Sequence, residues 1–136
     1  MSLTLARFVL DDHAEAMLAL ADRLFAAVLA GDIDALRAIY APEAVIWHNT
    51  DGVEERVEEH LRVAAWMAKI ISDLRFDDVR RVATSEGFVA QHIVRGRTPS
   101  GREANIPWCA VGTVVNGRIT RLDEYLDWRH ISMLMR

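Results

Sequence analysis

In AVIWHNTDG, Ala44 to Gly52, a stretch that begins as apolar core ends in Trp47, His48 and Asn49. Buried indole, imidazole and amide groups each need a hydrogen-bond partner, so this strand end either reaches solvent or lines a pocket. A neutral imidazole at His48 could act as a base near neutral pH. Strand alternation puts Trp47 and Asn49 on one face and His48 on the other. All three face one pocket only if a bulge re-aims a side chain. Two placements of His48 stay open, one in the pocket and one on the outer face at a subunit interface.

A second imidazole, His92 in VAQHIVRG, sits mid-strand beside Gln91. Either it hydrogen-bonds a carboxylate and orients it, or it is a sheet-face histidine bonded to a neighbour. His48, His92 and Asp127 are the residue types of a two-histidine, one-carboxylate metal site. No pair of them has ligand spacing, and His13, His60 and His130 fall in expected surface or terminal segments. No metal or other cofactor is expected. The single cysteine, Cys109, lacks a base partner at useful spacing and reads as a small core residue.

These side chains need elements to hold them. The chain has 136 residues, half of them hydrophobic and a quarter charged, which predicts one domain over 1–136 with its own core. The 15 arginines and single lysine, Lys69, are spread along a chain of net charge −4, so the clustered positive charge of a nucleic-acid surface is missing. No apolar run approaches a membrane span. MSLTLARF does not read as a signal peptide, so the expectation is a cytoplasmic protein. Met133 and Met135 are expected to pack, against the chain or a second subunit.

Apolar residues at Met17, Leu20, Ala21, Leu24 and Val28 predict a helix from Asp12 that ends near Gly31. A short helix follows from Asp32 or Asp34, limited by Pro42. EERVEEHLRVAAWMAKII predicts a third, with Val57, Leu61, Ala64, Ala68 and Ile71 on one face. Beyond Ser72 the period changes. Strands are predicted over 74–82, 88–97, 103–115 and 118–128, the last two joined by Asn116-Gly117, a strong hairpin signal. Helices grouped before an antiparallel meander predict an α+β domain, its helices covering one face of a curved sheet.

The order of elements, with AGDIDALRAIYAPEAVIWHN and NGRITRLDEYLDW, resembles the SnoaL-like branch of the nuclear transport factor 2 superfamily over residues 12 to 130. That superfamily includes ketosteroid isomerases, limonene epoxide hydrolases and polyketide cyclases, and also binding proteins without known chemistry. The resemblance implies a cone-shaped curved antiparallel sheet on three N-terminal helices, an apolar pocket and commonly a homodimer. In EYLD it matches Asp127 to the aspartate that cyclases and epoxide hydrolases of this superfamily use as acid or base. It matches Trp47 and Asn49 to an aromatic and a water-positioning Asn, and His48 approximately to the isomerase base. Trp108, Tyr125 and Gln91 complete the expected ligand-binding lining.

The resemblance is incomplete. The epoxide-hydrolase charge network needs an Arg and an Asp two residues apart where this chain offers Gln91 and Ile93, or His92 and Val94. The isomerase oxyanion hole falls on Leu24 and Ala110. The expectation is therefore acid/base catalysis at Asp127, helped by His48 or His92, on an apolar carbonyl-bearing small molecule. Its alternative is a non-catalytic protein that binds a small apolar ligand.

Overall fold

Asp12 and Glu15 occupy the first turn of the opening helix, α1 (Asp12–Ala30), where carboxylates meet the positive end of the helix dipole. In this computed structural model, which describes residues 12–132, α1 stops where a left-handed residue is cheapest. Gly31 has φ of 63°, its N–H donates to Val28 O, and Asp32 N–H donates to Ala27 O at 3.0 Å. That pairing satisfies carbonyls the helix end would orphan. The Asp32 carboxylate then accepts from Ala35 N–H and caps α2 (Ile33–Ile39), so two adjacent residues end one helix and start the next. The opening segment MSLTLARF, Met133 and Met135 lie outside the described residues.

Six strands follow or interleave: β1 (Tyr40–His48), β2 (Glu54–Arg56), β3 (Ser72–Ala83), β4 (Gly87–Arg97), β5 (Glu103–Val115) and β6 (Arg118–Tyr125). They form one sheet in the order β2-β1-β6-β5-β4-β3. The meander β3 to β6 is antiparallel as expected, whereas β1 runs parallel to β6. Helix α3 (Val57–Ile70) lies between β2 and β3, and a short α4 (Trp128–Ser132) ends the described chain.

Three departures from expectation have local causes. Glu54–Arg56 pairs with β1 as a strand, although its charges in sequence predict the first turn of a helix. Pro42 lies inside β1 where the pairing with β6 shifts register, a position that tolerates its missing N–H. The final strand stops at Tyr125, because Asp127 starts a new helix.

Register shifts bend the sheet. They fall between Ser72 and Arg75, between Asp77 and Arg80, and between Thr113 and Val114, with Asp73 and Asp78 at positive φ in the first two. Each bulge adds local twist. The concave face takes the apolar stripes of α1 and α3, and the core holds Leu20, Leu24, Tyr40, Leu61, Phe88 and Leu122. Phe88 sits over Gly112 of the neighbouring strand; a Cβ there would lie 2.5 Å from its ring. Among the described residues, no helix is long and apolar enough to cross a membrane.

Candidate functional site

The parallel pairing of β1 with β6 sets His48 opposite Glu124 and Ile46 opposite Leu122. Side chains two apart share a face, so the pairs Ile46/His48 and Leu122/Glu124 all point into the concave side. Ala110 lies opposite Glu124, and Trp108 opposite His92, which extends the row across the sheet. The small Ala90 and Ala110 leave room above it. Helix α3 closes the site with His60, which shares a stripe with Val57, Ala64 and Met67.

Glu124 is 5% exposed. Its Oε2 accepts a hydrogen bond from Trp108 Nε1, and its Oε1 lies 3.1 Å from His48 Nε2. The other His48 nitrogen, Nδ1, is 3.8 Å from Glu55 Oε1. Burial pushes the Glu124 carboxyl up, but His48, His60 and the Trp108 N–H outweigh it and hold it below the usual carboxylate range. Burial likewise pushes His48 down, while Glu124, Glu55 and Asp51 more than compensate and leave it raised. Burial leaves His60 lowered. Tyr40, buried and facing the Glu124 charge, keeps its proton far above the ordinary phenol value.

The backbone fixes this pair from both sides. Asn49 N–H donates to Glu124 O at 3.1 Å, and the Asn49 side-chain oxygen accepts from Leu126 N–H at 2.9 Å. Gly52 N–H closes the following turn on His48 O at 2.9 Å. Asn49 thus laces β1 to the end of β6 and holds the two strands that carry the pair in register.

Above the pair lies a cavity of about 240 Å³ with walls from Leu24, Phe25, Met67, Phe76, Val94 and Leu122. Val63, Trp66 and Trp128 line it where it meets solvent, and all three are exposed. His92 stacks on Phe76 at 4.1 Å between ring centroids and meets the edge of Phe25 at 4.9 Å. Burial, with Arg81 nearby, lowers its pKa to about 4.

The expected site residues divide by face. His48, His92 and Trp108 line the cavity. Trp47 and Tyr125 turn to the convex face, where their rings meet edge-on at 5.4 Å, and Gln91 joins that face beside Tyr125. Asn49 secures strands rather than lining the cavity. Asp127 is the main correction: its carboxylate is 45% exposed and accepts from Arg129 N–H at 2.9 Å as the cap of α4. That backbone N–H, with the Arg129 guanidinium, holds Asp127 below its ordinary value. It faces neither the cavity nor the pair.

Glu124, His60 and Glu55 also belong to the site, beyond the residues the sequence points to. Leu122 and Glu124 are in phase, and Leu122 is core, which was the available signal for Glu124. His60 lies three residues after Val57 and four before Ala64, on the apolar stripe of α3, and is no surface histidine. The trio His48, His92 and Asp127 does not assemble; among the described residues His48, His60 and Glu124 do, with their ligand atoms within 4.8 Å of one another.

A curved six-stranded sheet with helices on its concave face, enclosing a cavity, defines a nuclear transport factor 2-like α+β protein. The profile of the SnoaL-like domain matches residues 21–122, and the chain belongs to the SnoaL-like family. Solved structures share the fold. A Xanthomonas campestris pv. campestris protein provisionally described as a polyketide cyclase superposes with a TM-score of 0.76 at 22% identity, covering 90% of this chain and 98% of that one. PrhC from Penicillium brasilianum gives 0.77 at 14% identity, covering 89% and 86%. An NTF2-like protein from Burkholderia xenovorans gives 0.72 at 20% identity, covering 90% and 97%. At such identities the likeness concerns the fold alone. No curated protein sequence matches the chain significantly.

Proposed function

We propose that the protein is a small-molecule enzyme of isomerase, cyclase or hydrolase type, acting by acid/base catalysis on an apolar carbonyl-bearing ligand in the cone. The observation that carries this reading is the His48–Glu124 pair at the base of an apolar cavity, with Glu124 buried and His48 half-buried. The proton-transfer role expected of Asp127 passes to this pair. In the proposed reaction the 3.1 Å approach of Glu124 Oε1 to His48 Nε2 tightens into a hydrogen bond that keeps a proton on Nε2, and Nδ1 takes one from the carbon beside the carbonyl. The ionised carboxylate stabilises the resulting imidazolium, and return of the proton at a second position completes the transfer. Tyr40, kept protonated, is the neutral donor available to the carbonyl oxygen as charge develops there. Apolar walls exclude water and strengthen both interactions.

The mostly apolar lining also favours a second reading, a binding protein for a small hydrophobic ligand with no turnover. One experiment separates the two. Metal-free protein, kept in EDTA, is incubated in deuterated water with a panel of small apolar ketones and enones, and α-deuterium incorporation is followed by NMR alongside affinity by calorimetry. Incorporation by the parent that falls at least about a hundredfold in Glu124→Gln, with affinity kept, supports the enzyme. Binding without incorporation in the parent supports the binding protein. Incorporation unchanged by Glu124→Gln overturns the assigned mechanism.

A further inference from the structure

We propose that His48, His60 and Glu124 form a binding site for a divalent transition-metal ion of the zinc class. The three come from the end of β1, the end of the first turn of α3 and the end of β6, elements locked together by backbone hydrogen bonds and core packing. Their ligand atoms already lie within 4.8 Å of one another. Zinc bonds of about 2.0–2.1 Å place ligand atoms about 3.3 Å apart in a tetrahedron. His48 Nε2 and Glu124 Oε1, at 3.1 Å, are near that spacing, and the widest pair closes by side-chain rotation.

Independent support lies in the hydrogen bonds these groups do not make. His60 Nδ1 and Glu124 Oε1 are buried without a hydrogen-bond partner. The His48 Nε2 approach to Oε1 is close but not aligned as a donor, so it does not satisfy that oxygen. Buried polar atoms left without a partner are unfavourable, because they lose their bonds to water and gain none in return. A cation shared by the three side chains would meet their lone pairs at one point.

The surroundings fit as well. The Trp108 N–H holds Glu124 Oε2, and Glu55 stands behind His48 Nδ1 with a second buried, unpartnered oxygen. Ligating histidines and carboxylates are commonly oriented by such outer partners. Two carboxylates balance a dication. Two imidazoles with one carboxylate suit zinc, cobalt, nickel or ferrous iron better than magnesium or calcium, which favour all-oxygen sites. Three protein ligands leave at least one position open to the cavity for water or a carbonyl oxygen.

This inference goes beyond the acid/base reading and does not rest on it. An ion takes the Nε2 lone pair that otherwise carries the proton, and the deuterium-exchange test above runs in EDTA, so the two ideas fail separately. The test is titration of tag-free, metal-stripped full chain with Co²⁺, read by visible ligand-field absorption, and with Zn²⁺, read by calorimetry. One ion per chain is expected, with Kd tighter than about 10 µM and no competition from millimolar Mg²⁺. His60→Gln and Glu124→Gln should each weaken binding at least about a hundredfold, and Trp108→Phe about ten- to a hundredfold. Asp127→Asn should leave it unchanged. Circular dichroism checks each variant, and any one of the three weakening variants that folds suffices. Absence of saturable binding, or binding that survives in folded variants, overturns the proposal.

Discussion

An ionised carboxylate at 5% exposure is stable only while its partners stay in place. Removing one member of a buried ion pair typically costs about 3–5 kcal/mol, so His48 and Trp108 maintain the fold as well as the site. The pH windows follow from the directions of the shifts. The raised His48 contributes stability fully below its ordinary 6.5 and loses it as pH rises through the elevated folded value. The lowered Glu124 contributes above its ordinary 4.5 and loses it as pH falls through the depressed one. The pair therefore stabilises most between those two ordinary values. His92 works the other way: its folded pKa of about 4 sits below the ordinary 6.5, so its contribution is present above 6.5 and is lost as pH falls toward 4. We expect His92→Gln to flatten the loss of stability between those limits by up to about 3 kcal/mol, measured by urea unfolding across the range. An unchanged pH slope would show that His92 is not the titrating group.

At the scale of elements, the close seat of Phe88 on Gly112 lets β4 and β5 curve toward the helices. Gly112→Ala puts a methyl carbon where the ring already lies, and the expected cost is about 1–3 kcal/mol of overpacking. In a Phe88→Leu background that cost should shrink, and chemical denaturation of the four proteins in the double-mutant cycle measures the coupling. Elements with strong punctuation were legible in the sequence. Asn116 and Gly117 take φ of 51° and 77° as their hairpin requires, and Gly31 ends α1 as its position indicated. Strand β2 was not legible, because three charged residues carry no alternation and only pairing with β1 makes them a strand. The site was half legible for a similar reason. The polar end of β1 pointed to His48, but the face of β6 depends on a bulge near Thr113, and a motif match to Asp127 selected the opposite phase. His60 is hidden in the sequence because the charges before it suggest a solvated face.

For the molecule as a whole, one face of the sheet serves the cavity and the other is left to solvent. The convex side carries Val79, Val82 and Tyr125, each at least 45% exposed, with Trp47 against Tyr125. An apolar surface of this kind marks an interaction site more often than a bare exterior, and we propose that two copies of the chain pair through it. Trp47, Tyr125 and Gln91, expected in the sequence to touch ligand, would then serve assembly. Light scattering after gel filtration should give twice the chain mass for the parent and the chain mass for Tyr125→Arg. A parent monomer at micromolar concentration would remove the proposal. The cavity opens on the opposite side, between Trp66 and Trp128, so the proposed ligand entry and the proposed pairing of copies would not compete. Trp66→Ala should accordingly weaken ligand binding about tenfold without changing the mass.

In the proposed mechanism His48 and Glu124, not Asp127, handle the proton at the base of the cavity. That assignment is tested most directly by following the His48 ring nitrogens by NMR through a pH titration of metal-free protein. The expected result is a His48 pKa above 6.5 in the parent, raised by its carboxylate partner, unchanged in Asp127→Asn and falling below 6.5 in Glu124→Gln as burial is left unopposed. A His48 that titrates alike in the parent and Glu124→Gln, or that shifts with Asp127→Asn instead, would rule out that assignment.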